Sequence, residues 1–405
     1  MKNYNFKPIT LTVLILISSC AKEDDIQYIT ETITETEYVT VTETQIVEIP
    51  VTTTVTQTVT VEIPYSYEYA RAGKSTVSFS GQTSRLKMAD ELYAALNTNT
   101  FTKAKLLEMF NDGTGFADAS LNTSGKKMGN KTSGSQYASA TVKPMFDAMI
   151  TDFADNVIPN WAVDAVNGTA GVLTDATRTI HVNAKGHEID QTFIKGIIGG
   201  MNLDQIVNNY ITPYQLDSGT RIADNNNQIL SSSKTYTDME HKWDEAFGYL
   251  YGQVENAKTA DLSTGLSSTG TTLFKYFTKI EGSNQPGIAA TVFESFKLGR
   301  AAVSAGAYDV RDAQANVIKI QLSKIIGYKS VDYLNGYMDK MAAGNTADAF
   351  HALSEGYGFI MSLQFTNDGN ENPYFTKTEV DAMLSKMADF WTVSNTDLSA
   401  MVSDI

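Results

Sequence analysis

The chain has 405 residues, 42% hydrophobic and 19% charged, with a single cysteine. These proportions belong to a folded globular chain and exclude a disordered one, and one cysteine excludes an internal disulfide framework. With 46 Asp and Glu against 31 Lys and Arg the formal charge is −15, a sign that repels nucleic acid and anionic headgroups, so no nucleic-acid partner is expected.

The first residues carry an address. Lys2 and Lys7 make a short basic start, and Ile9 to Ile17 is apolar apart from Thr10 and Thr12. That run is too short to span a bilayer, so residues 1–19 read as a signal peptide and stand outside the fold. Ile17-Ser18-Ser19-Cys20 resembles the lipobox of bacterial lipoproteins. The resemblance implies a diacylglyceryl group on the Cys20 thiol, and two or more acyl chains hold a protein stably in a membrane. Ala21-Lys22-Glu23-Asp24-Asp25 resembles the signal that sends Bacteroidota lipoproteins to the outside of the outer membrane. The expected location is the cell surface, with the outer membrane as partner through the lipid on Cys20.

Residues 20–64 follow as the lipidated cysteine and an extended stalk. Ile26 to Pro64 is Thr, Val, Ile and Glu in loose alternation, without glycine. β-branched residues at period two favour extended backbone. Fully extended, such a segment reaches roughly 130 Å. Two Ile-Pro steps, Ile49-Pro50 and Ile63-Pro64, interrupt any long strand ladder.

From about Tyr65 the pattern is helical. Thr83-Ser84 caps a helix through Leu86, Ala89, Leu92, Tyr93 and Leu96, spaced by three and four. Thr102 starts a short helix, residues 111–136 read as an irregular loop, and Lys143-Pro144 opens the next helix. Further helices are predicted near 186–211, 234–258, 269–281, 287–304, 307–341, 345–365 and 376–393. Strand-like alternation is nearly absent after residue 80, so the class is all-α. The length suggests two helical subdomains, 65–260 and 261–405, joined where Gly, Ser and Thr cluster near 255–285.

The most informative feature is an internal echo. His241-Lys242-Trp243-Asp244-Glu245-Ala246-Phe247-Gly248-Tyr249-Leu250 matches His351-Ala352-Leu353-Ser354-Glu355-Gly356-Tyr357-Gly358-Phe359-Ile360. The shared pattern is His, three residues, Glu, a small residue, an aromatic, Gly, an aromatic and an aliphatic. It points to a duplicated helical unit. Side chains at i and i+4 share a helix face, so His241 with Glu245 and His351 with Glu355 are candidate ligands for a divalent metal or iron, converging between the halves. The competing reading is close helix packing, with His and Glu as structural buttresses. A lower-ranked candidate pair is His187 and Glu188, ahead of a Glu188, Gln191, Lys195 stripe that reads as a solvated face. His181 falls in a loop, and Arg300 has the character of a buried partner for a carboxylate. Thr366-Asn367-Asp368-Gly369-Asn370-Glu371-Asn372 is rich in oxygen ligands but lacks the register of an EF-hand and reads as a hydrogen-bonded turn.

The lipobox, the threonine-rich stalk, Ser78-Phe79-Ser80-Gly81-Gln82-Thr83-Ser84-Arg85-Leu86 and the two His-x-x-x-Glu helices together resemble an uncharacterised lipoprotein domain family of Bacteroidota, over roughly residues 65–400. That family is in turn similar to the imelysin-like proteins, helical envelope proteins associated with iron uptake and in some cases labelled metallopeptidases. The resemblance implies a duplicated, imelysin-like helical bundle that binds a ligand in iron or other metal acquisition, with a TonB-dependent receptor as partner. Imelysins carry Gly-x-His-x-x-Glu, a spacing that Gly186-His187-Glu188 lacks, so their iron ligands do not transfer residue by residue. Two alternatives remain: a metal-dependent hydrolase, an imelysin-like peptidase with Glu245 or Glu355 as base, and a structural or adhesive surface protein. The sequence holds no His-Glu-x-x-His helix, nucleophile elbow or phosphate-binding loop, which favours a binding protein over an enzyme.

Overall fold

The computed structural model describes residues 26–39 and 49–405. The signal segment, Cys20 and the Lys22-Glu23-Asp24-Asp25 run lie outside the described residues. Strands β1 (Ile26–Val39) and β2 (Ile49–Glu62) come first, then a small hairpin of β3 (Ala70–Arg71) and β4 (Lys74–Ser75). Helices α1 (Ser80–Ala95), α2 (Lys103–Asn111), α3 (Ala119–Asn122) and α4 (Val142–Asp152) follow, then strands β5 (Gly171–Thr174) and β6 (Thr179–Val182). The remainder is α5 (Ile189–Ile197), α6 (Pro213–Leu216), α7 (Arg221–Asn226), α8 (Asp238–Tyr251), α9 (Leu273–Glu281), α10 (Ile288–Ala305), α11 (Tyr308–Ala342), α12 (Thr346–Ser362), α13 (Lys377–Lys386) and α14 (Asn395–Asp404). The class is all-α, as expected.

The Thr/Val-rich stalk is extended but doubled back on itself. β1 and β2 pair antiparallel from Ile26 with Glu62 to Val39 with Ile49. Two segments of the same β-branched composition satisfy each other's backbone groups, which a lone extended chain leaves to water. Pro50 stands at the second residue of β2 and Pro64 two residues beyond its end, where a missing N–H costs the ladder least. A strand of 14 residues spans about 46 Å, well short of the single-file reach. The register also returns Ile26 to the root of the hairpin, where Val61 is buried against Ala301, Ala302 and Ala307.

Local signals set several helix starts. Thr102 caps α2 by accepting from the Lys105 N–H, and α8 and α13 begin with reciprocal capping boxes, Thr237 with Glu240 and Thr376 with Glu379. α1 begins at Ser80, ahead of the Thr83-Ser84 start read from the sequence, and no side chain caps it. α5 runs on through two π-helical segments, Ile198–Leu203 and Ile206–Tyr210, in which every side chain is buried. The β5–β6 hairpin, α6, α7 and α14 were not anticipated. Among the described residues no helix is long and apolar enough to cross a membrane.

The body has one continuous core. A single apolar cluster runs from Tyr67 to Met401, with α12 packed on α5 and on α11, and α10 on α8 and α11. The core therefore does not divide at the boundary near 260. The segment between α8 and α9 crosses the surface of one packed body, and helices from both sides of it interleave.

Gly358 on α12 sits so close to α5 that a Cβ there would lie 2.4 Å from Cβ of Lys195 and 2.8 Å from the Thr192 carbonyl oxygen. Gly336 on α11 has nothing within 4 Å of the same position. In urea denaturation, Gly358→Ala should lose about 1–3 kcal/mol by overpacking. Gly336→Ala should be neutral or gain about 0.5–1 kcal/mol, since glycine is a poor helix residue. Equal effects at the two positions would contradict this reading of the α5–α12 contact.

Candidate functional site

The internal echo is a repeated helix pair. α8 packs on α1 as α12 packs on α5, and three positions of the pattern do the same work in each. At the glycine, a Cβ on Gly248 would stand 2.4 Å from Cβ of Phe79, as one on Gly358 would from Lys195. Three residues after the histidine, a side chain meets the start of the partner helix. Asp244 Oδ2 accepts from the Ser78 N–H at 3.1 Å, and Ser354 Oγ accepts from the Glu188 N–H at 2.9 Å. The glutamate then takes a side chain from the partner helix: Gln82 Nε2 donates to Glu245 at 2.9 Å, and Lys195 Nζ reaches Glu355 at 3.1 Å.

The structure does not gather the four proposed metal ligands at one point. His241 stacks on Tyr236 with ring centres 4.6 Å apart, its Nδ1 is buried without a partner, and burial lowers its pKa. Glu245 is held by Lys242 at 3.0 Å as well as by Gln82. His351 lies between Glu188 (Nδ1 to Oε2, 2.6 Å) and Glu355 (Nε2 to Oε2, 3.6 Å). The two networks share no hydrogen-bond or ion-pair partner, and among the described residues no group of three or more His, Cys, Asp or Glu is arranged to hold a metal ion. The physical reason lies in the lysines. Lys242 and Lys195 already supply each glutamate with a cation, and an ammonium and a metal ion compete for the same oxygens.

The halves differ in what faces the partner helix's start. In the first, the space is sealed. Asp244 and Arg300 are both fully buried, with Arg300 Nε donating to Asp244 Oδ1 at 3.0 Å and Nη1 to Glu240 at 3.2 Å. Tyr67 donates to Asp244 at 2.9 Å, Arg300 Nη2 donates to Thr76 at 3.0 Å, and Arg71 closes the outer side on Glu240. Burial pushes the Asp244 carboxyl up to about 6 against the pull of Arg300. This identifies the carboxylates that Arg300 was expected to find.

Beside the second helix pair, α5 and α12, a cavity of about 190 Å³ opens, with Tyr93 of α1 and Asn97 just beyond that helix in its wall. Glu188, Asp190, Gln191 and His351 form its polar wall, and Tyr93, Phe153 and Trp161 supply aromatic surface. His181, read from the sequence as a loop residue, sits on β6 with its ring stacked on Trp161 at 3.5 Å and lines the same space. Arg178, with its side chain 40% exposed and its Nε on Asp348 at 2.9 Å, also contributes.

The acids of this wall are poorly compensated. Glu188 engages only Oε2, through His351; its Oε1 has no hydrogen-bond partner among the described residues. Asp190 accepts from two neutral amides, Asn97 Nδ2 at 3.1 Å and Gln191 Nε2 at 2.9 Å. Burial, reinforced by the neighbouring Glu188, holds its carboxyl well above the usual range. Lys195 is fully buried too, but its ammonium is committed to Glu355 and, at 2.7 Å, to Gln191 Oε1. The Glu188, Gln191, Lys195 stripe is thus an interior network, not a solvated face.

His187 takes no part. Its ring is buried, stacked on Phe390 at 4.0 Å, and its Nε2 donates to the Ala388 carbonyl oxygen at 3.2 Å. The Thr366–Asn372 segment is a turn in which Asp368 Oδ1 accepts the Asn370 and Asn372 N–H groups. Asp190 was missed though it lies two residues from Glu188, and His181 was missed although Thr179-Ile180-His181-Val182 alternates in burial. Nothing in the sequence singles out Trp161.

The fold and site together define an all-α body built on a repeated helix pair, with a polar cavity beside the second copy of that pair. A family model described as a domain of unknown function, DUF4856, matches residues 64–405. The chain belongs to that family. No curated protein and no solved structure shows a significant match.

The buried His187 makes a pH prediction. Burial lowers its pKa from 6.5 to about 4, so the unfolded chain binds the proton first as the pH falls. Its stabilising contribution is complete above pH 6.5 and is lost between there and pH 4, by about 3 kcal/mol. The stability difference between wild type and His187→Phe, measured by denaturant titration, should shrink by that amount from pH 7.5 to pH 4. A difference independent of pH would contradict a neutral, buried His187.

Proposed function

We propose that this chain is a lipid-anchored, surface-exposed outer-membrane protein whose helical body captures a small polar ligand in the cavity beside Glu188, Asp190 and His351. The observation that carries the reading is the contrast between the halves. The same helix pair occurs twice; one copy is filled by an internal ion network, and the other leaves two buried carboxylates facing open space. Buried acids whose hydrogen-bond partners are only amides and one imidazole are costly to maintain for the fold alone, and concave sites with a few convergent polar groups among aromatic walls are the usual form of ligand pockets. Binding is favoured over hydrolysis because the cavity wall presents no nucleophile activated by a base and no assembled metal centre. Metal capture, the acquisition role suggested by the resemblance, would now fall to Glu188 and Asp190 in place of the two His-x-x-x-Glu pairs.

A ligand that binds only the folded state raises its melting temperature by mass action. A thermal-shift screen with free amino acids, simple amines, hexoses and the chlorides of iron(II), zinc and calcium should give a hit in one class, lost in Glu188→Gln. No hit in any class, or a hit unchanged in Glu188→Gln, would contradict the proposed site.

The anchor is tested separately. Cys20→Ala should move the protein from the membrane fraction to the soluble fraction and abolish labelling by a fatty-acid probe. A mutant that stays in the membrane, or a wild type without label, would contradict lipidation.

A further inference from the structure

Resting on the reading of the cavity as the ligand site, we propose that its ligand is a small amino-acid-like zwitterion, with the ammonium between Glu188 and Asp190 and the carboxylate at Arg178. The charge layout argues for this directly. Glu188 and Asp190 are 6% and 4% exposed, so the acidic end is the inner one. Arg178 is the one guanidinium on the cavity wall, and its partly exposed side chain places it toward the mouth. Its Nε is held by Asp348, which orients the guanidinium and leaves its terminal nitrogens as donors.

The inner end asks for a donor with positive charge. Glu188 Oε1 accepts nothing from the protein among the described residues, and Asp190 has only amide donors. An ammonium carries three N–H groups and meets both carboxylates at once, with charge-assisted bonds stronger than neutral ones. A neutral sugar satisfies hydrogen bonds but leaves the acids uncompensated. A bare divalent ion is less well served, because His351, the nearby imidazole, already spends Nδ1 on Glu188 and turns Nε2 toward Glu355. Tyr93, Phe153 and Trp161 offer surface for the ligand's carbon skeleton, and aromatic faces also attract an ammonium. At about 190 Å³ the cavity admits a small organic molecule and excludes a folded partner or a long peptide.

The test is calorimetry on the detergent-solubilised full-length protein with the free L-amino acids, their decarboxylated amines, their N-acetyl derivatives and a hexose. At least one free amino acid should bind, and its N-acetyl derivative should not. Glu188→Gln and Asp190→Asn should each weaken binding by about tenfold or more, the size of one charge-assisted hydrogen bond. Arg178→Gln should weaken the amino acid but leave the matching amine unchanged, a split that a merely structural role for Arg178 would not produce. Binding of the hexose or an N-acetyl derivative in place of the free amino acid overturns the zwitterion while leaving the cavity as a site. An unchanged amino-acid affinity in Arg178→Gln likewise overturns the carboxylate end. No binding by any probe, with far-ultraviolet circular dichroism showing every variant folded, overturns the zwitterion and weighs against the cavity itself.

Discussion

Two helices, α8 and α12, approach their partners so closely that a methyl group on Gly248 or Gly358 would collide with the facing chain. Everything distinctive about this body follows from that approach. It brings the residue three places after each histidine to the beginning of the partner helix, where Asp244 accepts the Ser78 N–H just ahead of α1 and Ser354 accepts the N–H of Glu188, the cap residue of α5. It also sets each glutamate of the pattern against a side chain from the partner, Gln82 or Lys195. The His-x-x-x-Glu pattern is therefore a docking device first. Its glutamates, and His351 through Glu188, are spent on the contact between helices, while His241 stacks on Tyr236.

One difference between the two copies lies at the position three residues after the histidine. Asp244 brings a charge to the partner helix's start, and a buried charge requires company. Arg300 supplies it, and Tyr67, Thr76 and Glu240 complete a network in which Asp244 and Arg300 are fully buried. Ser354 brings no charge. The acids in that copy come from the other side, Glu188 and Asp190 on the partner segment itself, and no arginine is inserted against them. Space remains, walled by Trp161 and His181 from the β5–β6 side. Duplication followed by filling of one copy is an economical way for a fold to keep one rigid half as scaffold and one open half as site.

Much of this was legible in the sequence, for identifiable reasons. α2 starts at its Thr102 cap, and α10 to α12 fell close to their predicted bounds, because a cap or an apolar period is a signal that lies within a few residues. The repeat was legible because glycine, aromatic and histidine positions are fixed by the helix contact. Its consequence was not, since identical spacing on two helices says nothing about whether their faces point at one another. The polar stripe at Glu188, Gln191 and Lys195 read as solvated because nothing local reveals Glu355 and Tyr93, which lie far away in sequence and bury it. Trp161 and His181 meet only through a turn and a short hairpin, beyond the reach of any local pattern. The β1–β2 pairing is a long-range match between two similar segments, so composition predicted extended backbone but not its partner.

The contrast between a filled and an open copy is tested most directly by a high-resolution crystal structure of the body with its solvent. Ordered water or a bound solute should contact Glu188 Oε1 and Asp190, while no solvent enters the space around Asp244 and Arg300. A dry, collapsed second half, with Arg178 or another side chain folded onto Glu188, would contradict the proposed site.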